Sequence, residues 1–155
     1  MNHVIISRER KLDSFFARAK KNGVDDELTS DLARLGAVLV CGYVERCVEI
    51  VVLERLQHRA HERVLNFVKT HFKRGTNYNC EAISQLLERF DSGWAREFRS
   101  EIGTNDQWEA SLSSLYVLRN SIAHGGDQSR GLAGIESLYA DCRLIIEALA
   151  RATSK

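Results

Sequence analysis

At 155 residues, 44% hydrophobic and 28% charged, the chain has the composition of a globular protein and lies far from the polar bias of disorder. It is long enough to bury a continuous core without metals or disulfides, and one domain spanning 1–155 is expected. A formal net charge of +1 excludes a uniformly basic or acidic surface, though it hides an uneven distribution along the chain.

Proline is absent, where average usage near 5% would give about eight, so long uninterrupted helices are expected. The N-terminus, Met-Asn-His, lacks a basic-then-apolar signal pattern, which makes the cytosol the expected compartment. Apolar residues recur at helical spacing almost throughout and period-2 alternation is scarce, which makes the fold class all-α, a bundle of about five to six helices. A first helix is predicted over about Val4 to Lys21, with Phe15, Phe16 and Ala19 inward and Asn22-Gly23 as its stop.

The second helix starts near Asp25-Asp26, acids that suit a helix N-terminus, and runs to about Gln57 or bends and continues. Leu28, Leu32, Leu35, Leu39, Tyr43, Ile50 and Leu53 form one stripe, while Val38, Val40, Val44, Val48, Val51 and Val52 cover the other sides. A helix apolar all round is either central or shared between the core and a second protomer. Its apolar run, 37–52, is interrupted by Tyr43, Glu45, Arg46 and Glu49, so a buried helix is favoured over a membrane span, and no membrane partner is expected.

From Arg55 to Arg74 the chain is basic: Arg55, Arg59, Arg63, Lys69, Lys73 and Arg74 stand against Glu62 alone, with His58, His61 and His71 in the same stretch. Such a segment attracts phosphates, or is a solvated helix face. Arg59, Arg63, Lys69, Lys73 and Arg74 are the candidates for contact with a phosphate-bearing ligand. After a turn at Arg74-Gly75-Thr76-Asn77, short helices are predicted over Asn79 to Phe90 and around Trp94 and Phe98. Trp94, Phe98 and Trp108 read as core or dimer contacts, with stacking on bases as the sharper alternative.

The next helix opens after Gly103, where Thr104 with Gln107, or Asp106 with Glu109, would form a capping box, and it ends at Gly125-Gly126. A last helix from about Leu132 carries Leu132, Ile135, Leu138, Cys142, Ile145 and Leu149 on one seam. Cys41, Cys47, Cys80 and Cys142 form no CxxC pair and read as buried free thiols. His58-x-x-His61 lacks a third ligand, so neither a metal nor any other cofactor is expected. Glu45 and Glu49 form an i,i+4 acid pair best explained by ion pairing to Arg46 or Arg119, and Arg46 implies a buried pair or an interface contact.

Chemistry concentrates at Arg119-Asn120-Ser121-Ile122-Ala123-His124-Gly125. Arg119 falls amid the apolar stripe Trp108, Leu112, Leu115 and Ile122, and burying a guanidinium is costly unless it is paired or meets an anion. The bland explanation is a salt bridge to Glu45 or another acid. His124, five residues on, lies about 140° away around an ideal helix, so the two share a face only if the helix ends between them. Alone, a histidine in a last turn is a dipole-compensating cap.

The whole string resembles the R-x4-H motif of HEPN domains. The resemblance extends to Gly36-Ala37-Val38-Leu39-Val40-Cys41-Gly42-Tyr43-Val44-Glu45, similar to the glutamate-bearing second helix of the RiboL-PSP branch, and to Asn79 through Trp94; it covers about 28–150. It implies a homodimer in which two motifs face one cleft, and RNA cleavage without metal in toxin, antiviral-defence or RNA-processing settings, with an antitoxin or defence-system protein as a further partner. His124 would then act as general base or acid, Arg119 as phosphate clamp, Asn120 as a neutral hydrogen bonder orienting the phosphate or the histidine, and Glu45 as the group orienting Arg119 or His124. Some HEPN toxins carry, two residues after the histidine, a tyrosine that a partner nucleotidyltransferase modifies; Gly126 stands there, so that silencing is not expected. Two alternatives remain open: a non-catalytic HEPN module that binds RNA or nucleotide or serves as a dimerisation domain, and a helical adaptor held by an Arg119–Glu45 pair.

Overall fold

The computed structural model describes residues 2–21, 26–57, 59–72, 76–126 and 130–154. Among these the chain forms seven α-helices and no strand: α1 His3–Lys21, α2 Asp26–Leu56, α3 Glu62–Phe72, α4 Cys80–Glu88, α5 Ser92–Ile102, α6 Asp106–Ala123 and α7 Leu132–Ala152. The predicted count of five to six is thus too low. The helix not foreseen is α3, inside the basic segment, where α2 stops without a proline or glycine to announce the break. His61 opens α3, its Nδ1 accepting the Arg63 backbone N–H at 3.2 Å.

The 31-residue α2 is about 46 Å long and forms the spine on which α1, α3, α6 and α7 pack. Its buried face carries small and β-branched side chains: Ala33, Ala37, Val40, Cys41, Val44, Cys47, Val48, Val51 and Val52. These let neighbouring helices approach closely, and each fully buried valine stabilises by about 1.5–3 kcal/mol relative to exposure. The leucine stripe divides instead of entering the core together. Tyr43 is buried and Leu32 and Ile50 pack at the margin, whereas Leu28, Leu35 and Leu39, with Val38, stay exposed. The α7 seam is buried as the sequence predicts, through Leu132, Ile135, Leu138, Cys142, Ile145 and Leu149.

Short polar side chains set the later helix starts. Asn79 caps α4 by accepting from the Ala82 N–H at 2.8 Å, and Asp91 caps α5 by accepting from Gly93 at 2.7 Å and Trp94 at 3.2 Å. Neither predicted capping box forms at α6. Asn105 is the N-cap, its Oδ1 accepting from the Gln107 N–H at 3.1 Å, because Thr104 instead donates back to the Glu101 carbonyl. Trp94 and Phe98 are core residues and Trp108 packs against the core's edge. All four cysteines are free and buried; burial pushes the Cys41, Cys47 and Cys80 thiols up to about 12 and raises Cys142 as well, which suppresses the thiolate. Among the described residues no helix is long and apolar enough to cross a membrane.

Candidate active site

Helices α2 and α6 meet through small contacts. The Cys41 Sγ lies 3.9 Å from the Leu115 carbonyl, and Leu112 and Leu115 are fully buried. One turn further along each helix come Glu45 and Arg119, so the register that packs Cys41 on Leu115 brings the acid and the cation together. Both are half-buried. Burial holds the Glu45 carboxyl above the usual carboxylate range, and the nearby Arg119 charge offsets part of that rise.

Proximity does not become an ion pair. Among the described residues Arg119 forms no salt bridge with Glu45; its Nη1 donates to Asn120 Oδ1 at 3.2 Å. The adaptor alternative, which requires that pair, loses its support. Asn120 thus accepts from the guanidinium, and among the described residues its amide N–H groups make no hydrogen bond.

Two tyrosines complete the surroundings, and sequence reasoning missed both. Tyr116, one turn before Arg119, and Tyr78, just before the α4 cap, bury their phenol oxygens without a hydrogen-bond partner. The Tyr78 backbone N–H approaches Tyr116, and Thr76 approaches Tyr78, without closing a bond. Both phenols are raised, chiefly by burial, with the Glu45 charge adding to the rise. The apolar stripe could have flagged Tyr116; nothing local marks Tyr78, which loop geometry carries to α2. The Tyr78 ring lies 6.4 Å from Phe72, which ties the end of α3 to this region.

His124 is the C-cap of α6 and is exposed. Gly125 follows at φ +72°, a left-handed conformation costly for other residues, and donates to the Ile122 carbonyl at 3.1 Å. Gly126 donates to the Ser121 carbonyl at 2.8 Å, closing a Schellman motif. A Cβ at Gly126 would meet the Ser121 hydroxyl and, at 3.2 Å, the Ser121 carbonyl oxygen, so a side chain there requires Ser121 to shift. Within one chain, no described hydrogen bond joins His124 to the side chains of Arg119, Asn120 or Glu45.

The remaining sequence candidates scatter. Glu49 pairs with Arg46 on the surface, so Arg46 is neither buried nor needed by Glu45. Arg55 is structural, donating to the Thr153 hydroxyl at 3.3 Å and the Ala150 carbonyl at 3.2 Å. Arg59, Arg63 and Lys69 are exposed, with no ion pair among the described residues. Lys73, Arg74 and His58 lie outside the described residues. Among the described residues no three His, Cys, Asp or Glu side chains cluster as metal ligands.

The arrangement combines a half-buried guanidinium aligned by an asparagine, an incompletely compensated carboxylate and an exposed imidazole at a helix end. No curated protein and no solved structure matches the chain. The family model described as RiboL-PSP-HEPN matches residues 4–155, nearly the whole sequence. The helical architecture and the length of that match establish that the chain belongs to the RiboL-PSP-HEPN family.

Proposed function

We propose that this HEPN protein is a metal-independent endoribonuclease acting as a homodimer. The observation that carries the reading is the placement of Arg119: a costly cation on the buried side of α6, beside Glu45 yet not bonded to it, with its fork aligned by Asn120. A phosphate fits such a guanidinium, since it accepts two parallel hydrogen bonds and supplies the missing charge. His124 supplies proton transfer near neutral pH. In the reaction the ribose 2′-oxygen attacks phosphorus while histidine takes the 2′-hydroxyl proton; the bond from phosphorus to the 5′-oxygen breaks, and that oxygen takes a proton from the imidazolium as it leaves. Arg119 offsets the charge of the phosphorane. Glu45 positions Arg119 from α2.

Because no described hydrogen bond joins His124 to Arg119 within one chain, we assign completion of the cleft to the second protomer. The exposed Leu28, Leu35, Val38 and Leu39 leave an apolar strip along the N-terminal half of α2, which supports a second copy there. Incubation with end-labelled RNA in EDTA tests the reading. Wild type should yield 2′,3′-cyclic phosphate or 3′-phosphate and 5′-hydroxyl ends, and Arg119→Ala and His124→Ala should not. Equal cleavage by all three would contradict it. Toxin, defence or RNA-processing roles, with an antitoxin-like partner, are settings consistent with this activity.

A further inference from the structure

We propose that α3 is a stacking platform for an unpaired RNA base, with Phe67 as the stacking residue; this deepens the ribonuclease reading and rests on it for the identity of the ligand. Phe67 is 76% exposed, the most exposed large hydrophobic side chain described, and Val64 beside it is 50% exposed. A phenylalanine turned to water is uneconomical for folding, and α3, which packs on α2, has Val68 as its buried residue instead. Four residues before Phe67 on the same face stands Arg63, and four after stands His71. The exposed cations Arg59, Arg63 and Lys69 carry no ion pair among the described residues, and Glu62 is the acid of the helix.

An open aromatic ring with the unpaired Arg63 on its own face matches a single strand: the ring takes a base face of any sequence and Arg63 meets the adjoining phosphate, whereas Lys69, about 160° around the helix from Phe67, lines a groove with Glu49 and Glu54 of α2. The charge argues against a second copy of the same face, which would set like charges against each other. The platform also leads to the candidate site. From Phe67 to Phe72 the helix rises about 7.5 Å, Phe72 contacts the Tyr78 ring at 6.4 Å, and Tyr78 lies within reach of the Glu45 charge. The C-terminal end of α3 is thereby joined to the Glu45 surroundings. Duplex RNA, whose bases are already stacked, gains nothing from Phe67.

Fluorescence anisotropy with a labelled 12-nucleotide, 2′-O-methylated RNA of unstructured sequence, and with the same strand in a duplex, tests the proposal; methylation blocks cleavage, so binding is read separately from catalysis. Phe67→Ala should weaken single-strand binding about tenfold, Phe67→Trp should retain it, and duplex binding should not change. Arg63→Gln should lower the salt slope by about 0.7, and Phe67→Ala should leave that slope as it is. Unchanged single-strand binding by Phe67→Ala, or equal losses on single strand and duplex, would overturn the platform. Loss of self-association in sedimentation with RNA binding intact would overturn it too, in favour of a protein contact. Failure of the ribonuclease reading shows separately, as unmodified RNA left intact in EDTA.

Discussion

Two carboxylates, Glu9 packed against α2 and Glu45 on it, are treated differently by the protein. Glu9 of α1 is 5% exposed and fully engaged: its Oε1 accepts from the Tyr43 hydroxyl at 2.9 Å, its Oε2 lies 3.7 Å from Arg143, and its backbone carbonyl accepts from the Tyr139 hydroxyl at 3.3 Å. Arg143 also lies over the Tyr139 ring and near Asp13, so the cluster closes on itself. Glu45, two residues after Tyr43 and about 200° around the same helix, has a cation nearby that bonds elsewhere and two buried phenols short of partners. One side of α2 uses polar groups to join α1, α2 and α7; the other leaves them unfinished at the cleft with α6. Unfinished polarity costs stability, which is why it marks the side where a ligand is expected.

Catalysis breaks this comparison most sharply. Arg119→Ala and His124→Ala should each lower RNA cleavage by about 10²–10⁴-fold, while circular dichroism and Tm stay near wild type for the exposed His124. Glu9→Ala should do the reverse, costing about 3 kcal/mol through unpaired groups left in the α1–α2–α7 cluster, read as a lower denaturant midpoint with cleavage per folded molecule retained. Removing single hydroxyls sharpens the contrast: Tyr43→Phe should cost about 1–2 kcal/mol and Tyr116→Phe about none, because the Tyr43 hydroxyl is bonded and the Tyr116 hydroxyl is not. Equal losses would erase the distinction.

The smallest effect concerns pH. Burial is the larger influence on Glu45 and raises its folded pKa above the unfolded value. The neutral carboxyl is therefore favoured in the fold, and the stability it contributes at low pH is lost as pH rises through the raised pKa. Glu45→Gln should thus be more stable than wild type at pH 7–8, read as a higher Tm, and should lose that advantage as the pH falls through the carboxylate range.

The helix class, the buried α7 seam and the Arg119 anomaly were all legible in the sequence, because 3.6-residue periodicity and a cation on an apolar stripe are local signals. α3 was not, since its buried contribution is Val68 and the rest of its pattern resembles a basic linker. Which half of the all-round apolar α2 faces the core was equally hidden: valines and leucines look alike to periodicity, and close approach of α6 and α7 selects the smaller. Glu9 and Tyr78 were invisible because their meaning comes from partners 34 or more residues away, Tyr43 and Tyr139 for Glu9, or from across the α2 cleft, Glu45 for Tyr78.

The central claim is that the working site is completed by two chains, and subunit mixing tests it most directly. Arg119→Ala and His124→Ala proteins, each inactive alone, are co-refolded and assayed on labelled RNA in EDTA. The account predicts cleavage well above the sum of the two parents, since the mixed dimer retains one Arg119 and one His124 on opposite protomers. A mixture no more active than its parents would contradict the shared cleft.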